Sequence, residues 1–242
     1  MAAIEIRDLT KRFGGRTAVD SLCLAIEKGE FFSLLGQNGA GKTTTIKMLC
    51  CLLPPTSGDA VLLGDSINTS PAAIKQKLNV SPQETAVAPN LTVKENLELL
   101  ARIYGSDRRT ASARADELLR AFGLTDRAKD RAKTLSGGMQ RRMSVAMALI
   151  SNPEIIFLDE PTLGLDVRAR RELWRILDGL KGKITIVLTT HYLEEAEALS
   201  DRIGIMHGGR LKALGTVAQL KAQTAAASLE DAFLALTDAE AI

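Results

Sequence analysis

The chain has 242 residues, 45% hydrophobic and 25% charged, enough to bury a sizeable core as one large domain or a domain with a subdomain. Its 31 Lys and Arg against 29 Asp and Glu leave a net charge of +2, too small a field to steer the molecule toward nucleic acid or anionic lipid, so no nucleic-acid partner is expected. Cys23, Cys50 and Cys51 lack metal-ligand or disulfide spacing and read as small buried hydrophobes; with no signal-like start and no run of about eighteen apolar residues, the expectation is a cytoplasmic chain that does not itself span a membrane.

In chain order, "AIEIRDL" and "TAVDSLCLAIE" alternate as antiparallel strands about the Gly14-Gly15 turn and feed the buried run "EFFSLL". From Gly36 a glycine-rich loop leads into a helix that is predicted to stop at Pro54-Pro55. "GDAVLLG" reads as a strand and "PAAIKQKLNV" as a helix leading into another strand. Residues from about 84 to 150 form a predicted α-helical subdomain: Thr92 and Glu95 make a capping box for "TVKENLELLARIYG", and "ASARADELLRAFG" ends on glycine. "EIIFLD", "RARRELWRILDGL", "KITIVLTT" and "YLEEAEALS" then alternate apolar strand with amphipathic helix, which predicts a parallel sheet covered on both faces. "AQTAAAS" reads as a flexible linker, and "SLEDAFLALT" as a short helix opened by Ser228 and Asp231. The expected fold is α/β, with a parallel-sheet core, an antiparallel β subdomain and an α-helical subdomain within 1–220, followed by a linker and short helix over 221–242.

"GQNGAGKT", Gly36 to Thr43, fits G-x-x-x-x-G-K-[ST] between a buried strand and a helix. Gly36, Gly39 and Gly41 let backbone N–H groups turn toward a triphosphate, Lys42 puts a cation on its β and γ phosphates, and Thr43 offers a hydroxyl to Mg²⁺. In "IIFLDE", Asp159 is placed to hold the metal through water and Glu160 to orient or deprotonate an attacking water; alone, "DEP" reads as a surface turn, and the phosphate loop tips the balance. His191 ends an apolar strand, where it can donate to a γ-phosphate; taken alone it reads as readily as a structural side chain. Gln83, in "NVSPQE", also ends a strand and can join a magnesium shell. "TLSGGMQRRM" opens a second helix with Ser136, Gly137 and Gly138, a further anion site in a chain that already has one.

Taken in order, these residues resemble the nucleotide-binding domain of ATP-binding cassette (ABC) proteins, which are P-loop NTPases. "GQNGAGKTT" is similar to Walker A, "SPQE" to the Q-loop, "LSGGMQRR" to the signature, "IIFLDEPT" to Walker B, "LGLD" to the D-loop and "TTHYLEEAE" to the switch histidine, over residues from about 3 to 220. The resemblance implies ATP and Mg²⁺ as cofactors, with Phe13 stacked on adenine and Gly36, Asn38, Gly39, Ala40, Gly41, Lys42, Thr43 and Thr44 around the phosphates. It implies catalytic roles for Lys42, Glu160 and His191 and a metal shell of Thr43, Gln83 and Asp159. It also implies a head-to-tail dimer, in which Ser136, Gly137 and Gly138 of one copy close over the nucleotide of the other and Asp166 lies at the seam. The sequence departs from the commonest pattern at Met139, where glutamine is usual, at Leu163, where serine is usual, and at Phe13, where tyrosine is more frequent.

An ATPase of this family has two readings. In the first it energises export through a separately encoded integral membrane permease, from the inner face of the cell membrane. In the alternative it is a soluble ABC ATPase of iron–sulfur assembly, translation or DNA metabolism. The tail "SLEDAFLALT" resembles ATPase subunits of bacterial drug, antibiotic and polysaccharide exporters, and "ETAVAPNLTVKENL", with Val87 and Leu91, matches the place where the family receives a permease helix. Both favour the transporter. Each stretch has an ordinary packing explanation too, since a Phe233 and Leu236 stripe can simply bury against its own domain.

Overall fold

The computed structural model describes residues 2–238. Strands β1 (Ala2–Phe13) and β2 (Arg16–Glu27) pair antiparallel across the Gly14-Gly15 turn, which sets Phe13 opposite Arg16. Strand β3 (Phe31–Leu35) is buried throughout and runs straight into the phosphate loop and helix α1 (Lys42–Leu49). Strands β4 (Ser57–Leu62) and β5 (Asp65–Ser66) complete a four-stranded antiparallel sheet in the order β2-β1-β4-β5. Helix α2 (Pro71–Lys77) then returns the chain to β6 (Leu78–Ser81).

The helical part consists of α3 (Val93–Ile103), α4 (Arg108–Ala121) and α5 (Gly137–Ala148). Thr92 and Glu95 form the expected reciprocal capping box, and Asp107 caps α4 by accepting from the N–H groups of Arg109 and Thr110. After α5 come β7 (Ile155–Asp159), α6 (Val167–Asp178), β8 (Thr185–Thr190), α7 (Leu193–Leu199), β9 (Arg202–His207) and β10 (Arg210–Gly215). The second sheet has the order β10-β9-β3-β8-β7-β6; β6, β7, β8, β3 and β9 run parallel, and β10 pairs antiparallel on its edge. Its faces separate by alternation. Ile156 and Leu158 of β7 pack with the helical part, while Ile155 and Phe157 pack with α1 and the antiparallel sheet. All carboxyl ends of the parallel strands therefore meet at one edge, where open α/β sheets place ligands.

Four details differ from the sequence reading. Helix α1 ends at Leu49 rather than at Pro54-Pro55, because Cys51 takes a left-handed conformation (φ 54°) and turns the chain. Strands β9 and β10 form a hairpin about Gly208 and Gly209 that has no counterpart in the elements expected from sequence. Helix α8 (Val217–Thr224), capped by Thr216 with Gln219, occupies the first half of the stretch read as a linker, and only a short turn from Ala225 precedes α9 (Leu229–Asp238). Of the cysteines, Cys50 is buried as expected, but Cys23 is exposed and donates its thiol to Asp8. On α9, Leu229 and Phe233 are buried and Leu236 half-buried against Ile203, Ile205 and Ala196, so the tail's apolar stripe is packing within its own domain. Among the described residues no helix is long and apolar enough to cross a membrane.

Candidate functional site

The loop between β3 and α1 is shaped by its glycines. Gly41 sits at φ 103°, and a Cβ there would lie 2.5 Å from the carbonyl oxygen of Ala18. No other residue fits that turn, which brings the first N–H groups of α1 to face the opening at the sheet edge. Lys42 is buried at 5% exposure; its Nζ donates to the carbonyls of Gly36 (2.7 Å) and Gln37 (3.1 Å) and lies 3.5 Å from Glu160 Oε1. Burial pushes its pKa down, opposed by Glu160 and Asp159. This buried ammonium is thus held by two loop carbonyls and the Glu160 carboxylate at the mouth of the phosphate loop, where it can turn to an anionic ligand.

Thr43 donates its hydroxyl to Asp159 Oδ1 at 3.1 Å, and Thr189 from β8 donates to the same oxygen. Asp159, the last residue of β7, is thereby fixed beside the phosphate loop. Among the described residues no group of three or more His, Cys, Asp or Glu side chains could hold a metal on its own. The donors present, one hydroxyl and one carboxylate, suit a hard cation that takes its remaining ligands from phosphate and water.

Glu160 follows at φ 47°, a left-handed conformation that costs a non-glycine residue about 1 kcal/mol or more. Its N–H donates to the Thr189 carbonyl at 3.0 Å, and its carboxylate lies between Lys42 and His191, whose Nδ1 is 3.3 Å from Oε2 but not aligned for a hydrogen bond. His191 is presented by the turn after β8, where Tyr192 N–H donates to Thr190 Oγ1 at 3.0 Å.

Lys42, Thr43, Glu160 and His191 line a cavity of about 620 Å³ together with Phe13, Arg16, Asn38, Gly39, Gly41, Thr44, Gln83 and Leu163. That volume suits a small-molecule ligand. A larger cavity of about 760 Å³ lies among Lys28, Arg114 and Glu154 at the opposite ends of the strands, and carries none of the convergent donors. Of the residues expected from sequence, Phe13, Asn38, Gly39, Gly41, Lys42, Thr43, Thr44, Gln83, Glu160 and His191 come together in one cavity. Gly36, Ala40 and Asp159 stand behind its wall; Gly36 contributes the carbonyl that holds Lys42. Ser136, Gly137, Gly138 and Asp166 are not part of this lining. Ser136 caps α5, accepting from Met139 N–H at 3.4 Å, and Asp166 caps α6, accepting from Ala169 N–H at 2.9 Å. Sequence reasoning missed Arg16, Thr189 and Arg141; the first two were legible in principle, from the hairpin register opposite Phe13 and from the threonine pair preceding His191.

The comparisons agree with this architecture. Residues 19–163 match the family model described as ABC transporter. The chain is 42% identical over 218 residues to the linearmycin resistance ATP-binding protein LnrL of Bacillus subtilis (strain 168), covering 90% of this chain and 70% of that protein. Among solved structures it is similar to an ATP-binding subunit of an ABC transporter, with TM-score 0.86, 31% identity and coverage of 97% of this chain and 99% of that one. It is also similar to the ATP-binding cassette MJ0796 in a dimeric post-hydrolysis state bound to ADP and Pi, with TM-score 0.80, 28% identity and coverage of 88% and 98%.

Proposed function

The chain belongs to the ABC transporter family and is an ATPase, and from that premise we propose that it energises export through a separate membrane permease by ATP-driven closure of a dimer of two copies. The observation that carries this reading is the division of the sequence motifs. Lys42, Thr43, Glu160 and His191 share one cavity, whereas Ser136, Gly137 and Gly138 serve a helix start outside it. A serine and two glycines at a helix N-terminus that do not reach their own chain's cavity are accounted for if they close over the nucleotide of a second copy, with Asp166 at the seam. The MJ0796 dimer supports that arrangement by similarity.

In this reading Phe13, half exposed at the cavity mouth, stacks on the adenine. The loop N–H groups and Lys42 take the phosphates, and Lys42 then gives up its contacts with the Gly36 and Gln37 carbonyls and with Glu160. Thr43, Asp159 and Gln83 would hold Mg²⁺, which would supply positive charge to the phosphate oxygens. Glu160 accepts the proton of the attacking water as its oxygen bonds to the terminal phosphorus and the bond to ADP breaks; His191 steadies the phosphoryl group. Residues 1–220 form the nucleotide-binding domain, 84–150 its helical subdomain, and 221–242 a tail. The molecule works at the inner face of the membrane, and the resistance function named for LnrL supports a drug-like cargo.

Glu160→Gln tests the core of this proposal. The variant keeps the size of the side chain and loses its basicity, so ATP binding persists, phosphate release falls by about 100-fold or more, and ATP shifts the protein to a dimer on size-exclusion chromatography. Full activity in that variant removes Glu160 from the chemistry.

A further inference from the structure

The most heavily hydrogen-bonded buried cation in the site region has no role in the reading above. Arg141 lies one turn into α5, five residues after Ser136, and is 4% exposed. Its guanidinium reaches four backbone carbonyls and no carboxylate: Nε donates to Pro161 (2.7 Å), Nη2 to Asp159 (2.9 Å), and Nη1 to Pro82 and to Gln83 (3.2 Å). Asp159 and Pro161 flank Glu160, the residue at φ 47°. Pro82 and Gln83 follow β6, and Gln83 lines the cavity. One side chain thus bridges the ends of two strands and the helix that begins at Ser136.

We propose that Arg141 is a positioning residue for hydrolysis: it holds the carbonyls of Asp159 and Pro161, the residues on either side of Glu160, and so fixes the left-handed turn that aims the carboxylate, and it ties that turn to the Pro82-Gln83 backbone. This rests on the reading of Glu160 as the base. The physical case is one of geometry and cost. Burying a cation without a hydrogen-bonded counter-ion is expensive, and burial does push Arg141 down to about 10, eased by the nearby carboxylates of Asp159 and Glu195. Carbonyls at strand ends need only a donor each, which neutral groups or water supply more cheaply. What a guanidinium adds is a rigid planar fork that fixes several acceptors relative to one another; an ammonium, a point donor on a flexible stem, cannot span the same set. The Thr189 carbonyl accepts from the Glu160 N–H, so the Asp159–Glu160 peptide group is held at its N–H by β8 and at its C=O by Arg141, while the Pro161 carbonyl is held by Arg141 on the other side of the strained residue. Any movement of α5 that accompanies engagement of Ser136 with a second copy then reaches Glu160 and Gln83 through this one side chain.

The test uses the full chain with Arg141→Met and Arg141→Lys, each alone and in a Glu160→Gln background, measuring kcat, KM for ATP and thermal stability. A misaimed base lowers kcat by about 100-fold in Arg141→Met and by at least about tenfold in Arg141→Lys, with KM within about threefold of the parent. In the Glu160→Gln background neither substitution lowers the residual rate further, because both act on one group. Folded Arg141→Met with full kcat, alongside an inactive Glu160→Gln, overturns the proposal. So does a loss of ATP affinity that accounts for the whole effect, an additive loss on top of Glu160→Gln, or failure of both variants to fold, which would make Arg141 part of the scaffold. A fully active Glu160→Gln refutes the premise instead, and the two failures are distinct.

Discussion

Glu195, on α7 one turn beyond His191, is wholly buried. Trp174 Nε1 donates to its Oε1 at 3.1 Å, and Thr190 and Thr162 hydroxyls lie close enough to favour the ionised form, although neither Oε2 nor Thr162 Oγ1 makes a well-aligned hydrogen bond. Burial outweighs these groups and Arg170, and raises its pKa. The native state therefore keeps a proton that the unfolded chain releases at about pH 4.3, so the stability from this group is present below that pH and is lost as pH rises through the native value. Glutamine keeps the shape, does not titrate, and can donate to Thr162. In thermal unfolding between about pH 5 and pH 8, Glu195→Gln should gain on the parent as pH rises; a constant difference would mean that Glu195 is already ionised across the range. The sequence contained this glutamate in "TTHYLEEAE" but not its burial, since "LEEAE" alone reads as a solvated helix face.

At the scale of elements, the start of α5 has to satisfy packing as well as any ligand. A Cβ on Gly138 would lie 2.8 Å from Ala169 Cβ of α6, whereas one on Gly137 meets nothing within 4 Å. In an open helix, Gly→Ala stabilises by about 1 kcal/mol. At Gly138 overpacking against α6 should reverse this, with a net loss of about 1 kcal/mol or more. Urea unfolding of Gly138→Ala with Gly137→Ala as control checks the contrast, and equal midpoints would show that α6 yields freely. Elements with strong local signals, such as α3 with its capping box and the apolar runs of β7 and β8, were legible because the residues that specify them are neighbours in sequence. The β9–β10 hairpin was not. Its strand β9 is buried on both faces, with Ile203 and Ile205 against α7 and α9 and Met206 among residues of α1 and the antiparallel sheet, so β9 shows no clean alternation.

For the whole molecule, the segment after Gln83 is the proposed place of contact with a permease. Val87 packs partly into the core under the helical part, so a charge there would also disturb folding; Leu91, half-buried outside that cluster, is the cleaner probe. With the permease present, Leu91→Asp should lower substrate transport in membrane vesicles while ATP hydrolysis by the isolated chain stays near the parent rate; unimpaired transport would put the contact elsewhere. The sequence by itself determined the family, the α/β layering and the identity of nearly every group in the cavity, because phosphate-loop chemistry depends on residue types at fixed short spacing. Only the tertiary structure decided that Ser136 and Gly138 stand apart from the cavity that holds Lys42, and that Arg141 grips both sides of Glu160. Those relations join residues far apart in sequence through strand order and helix packing, and no local pattern encodes them.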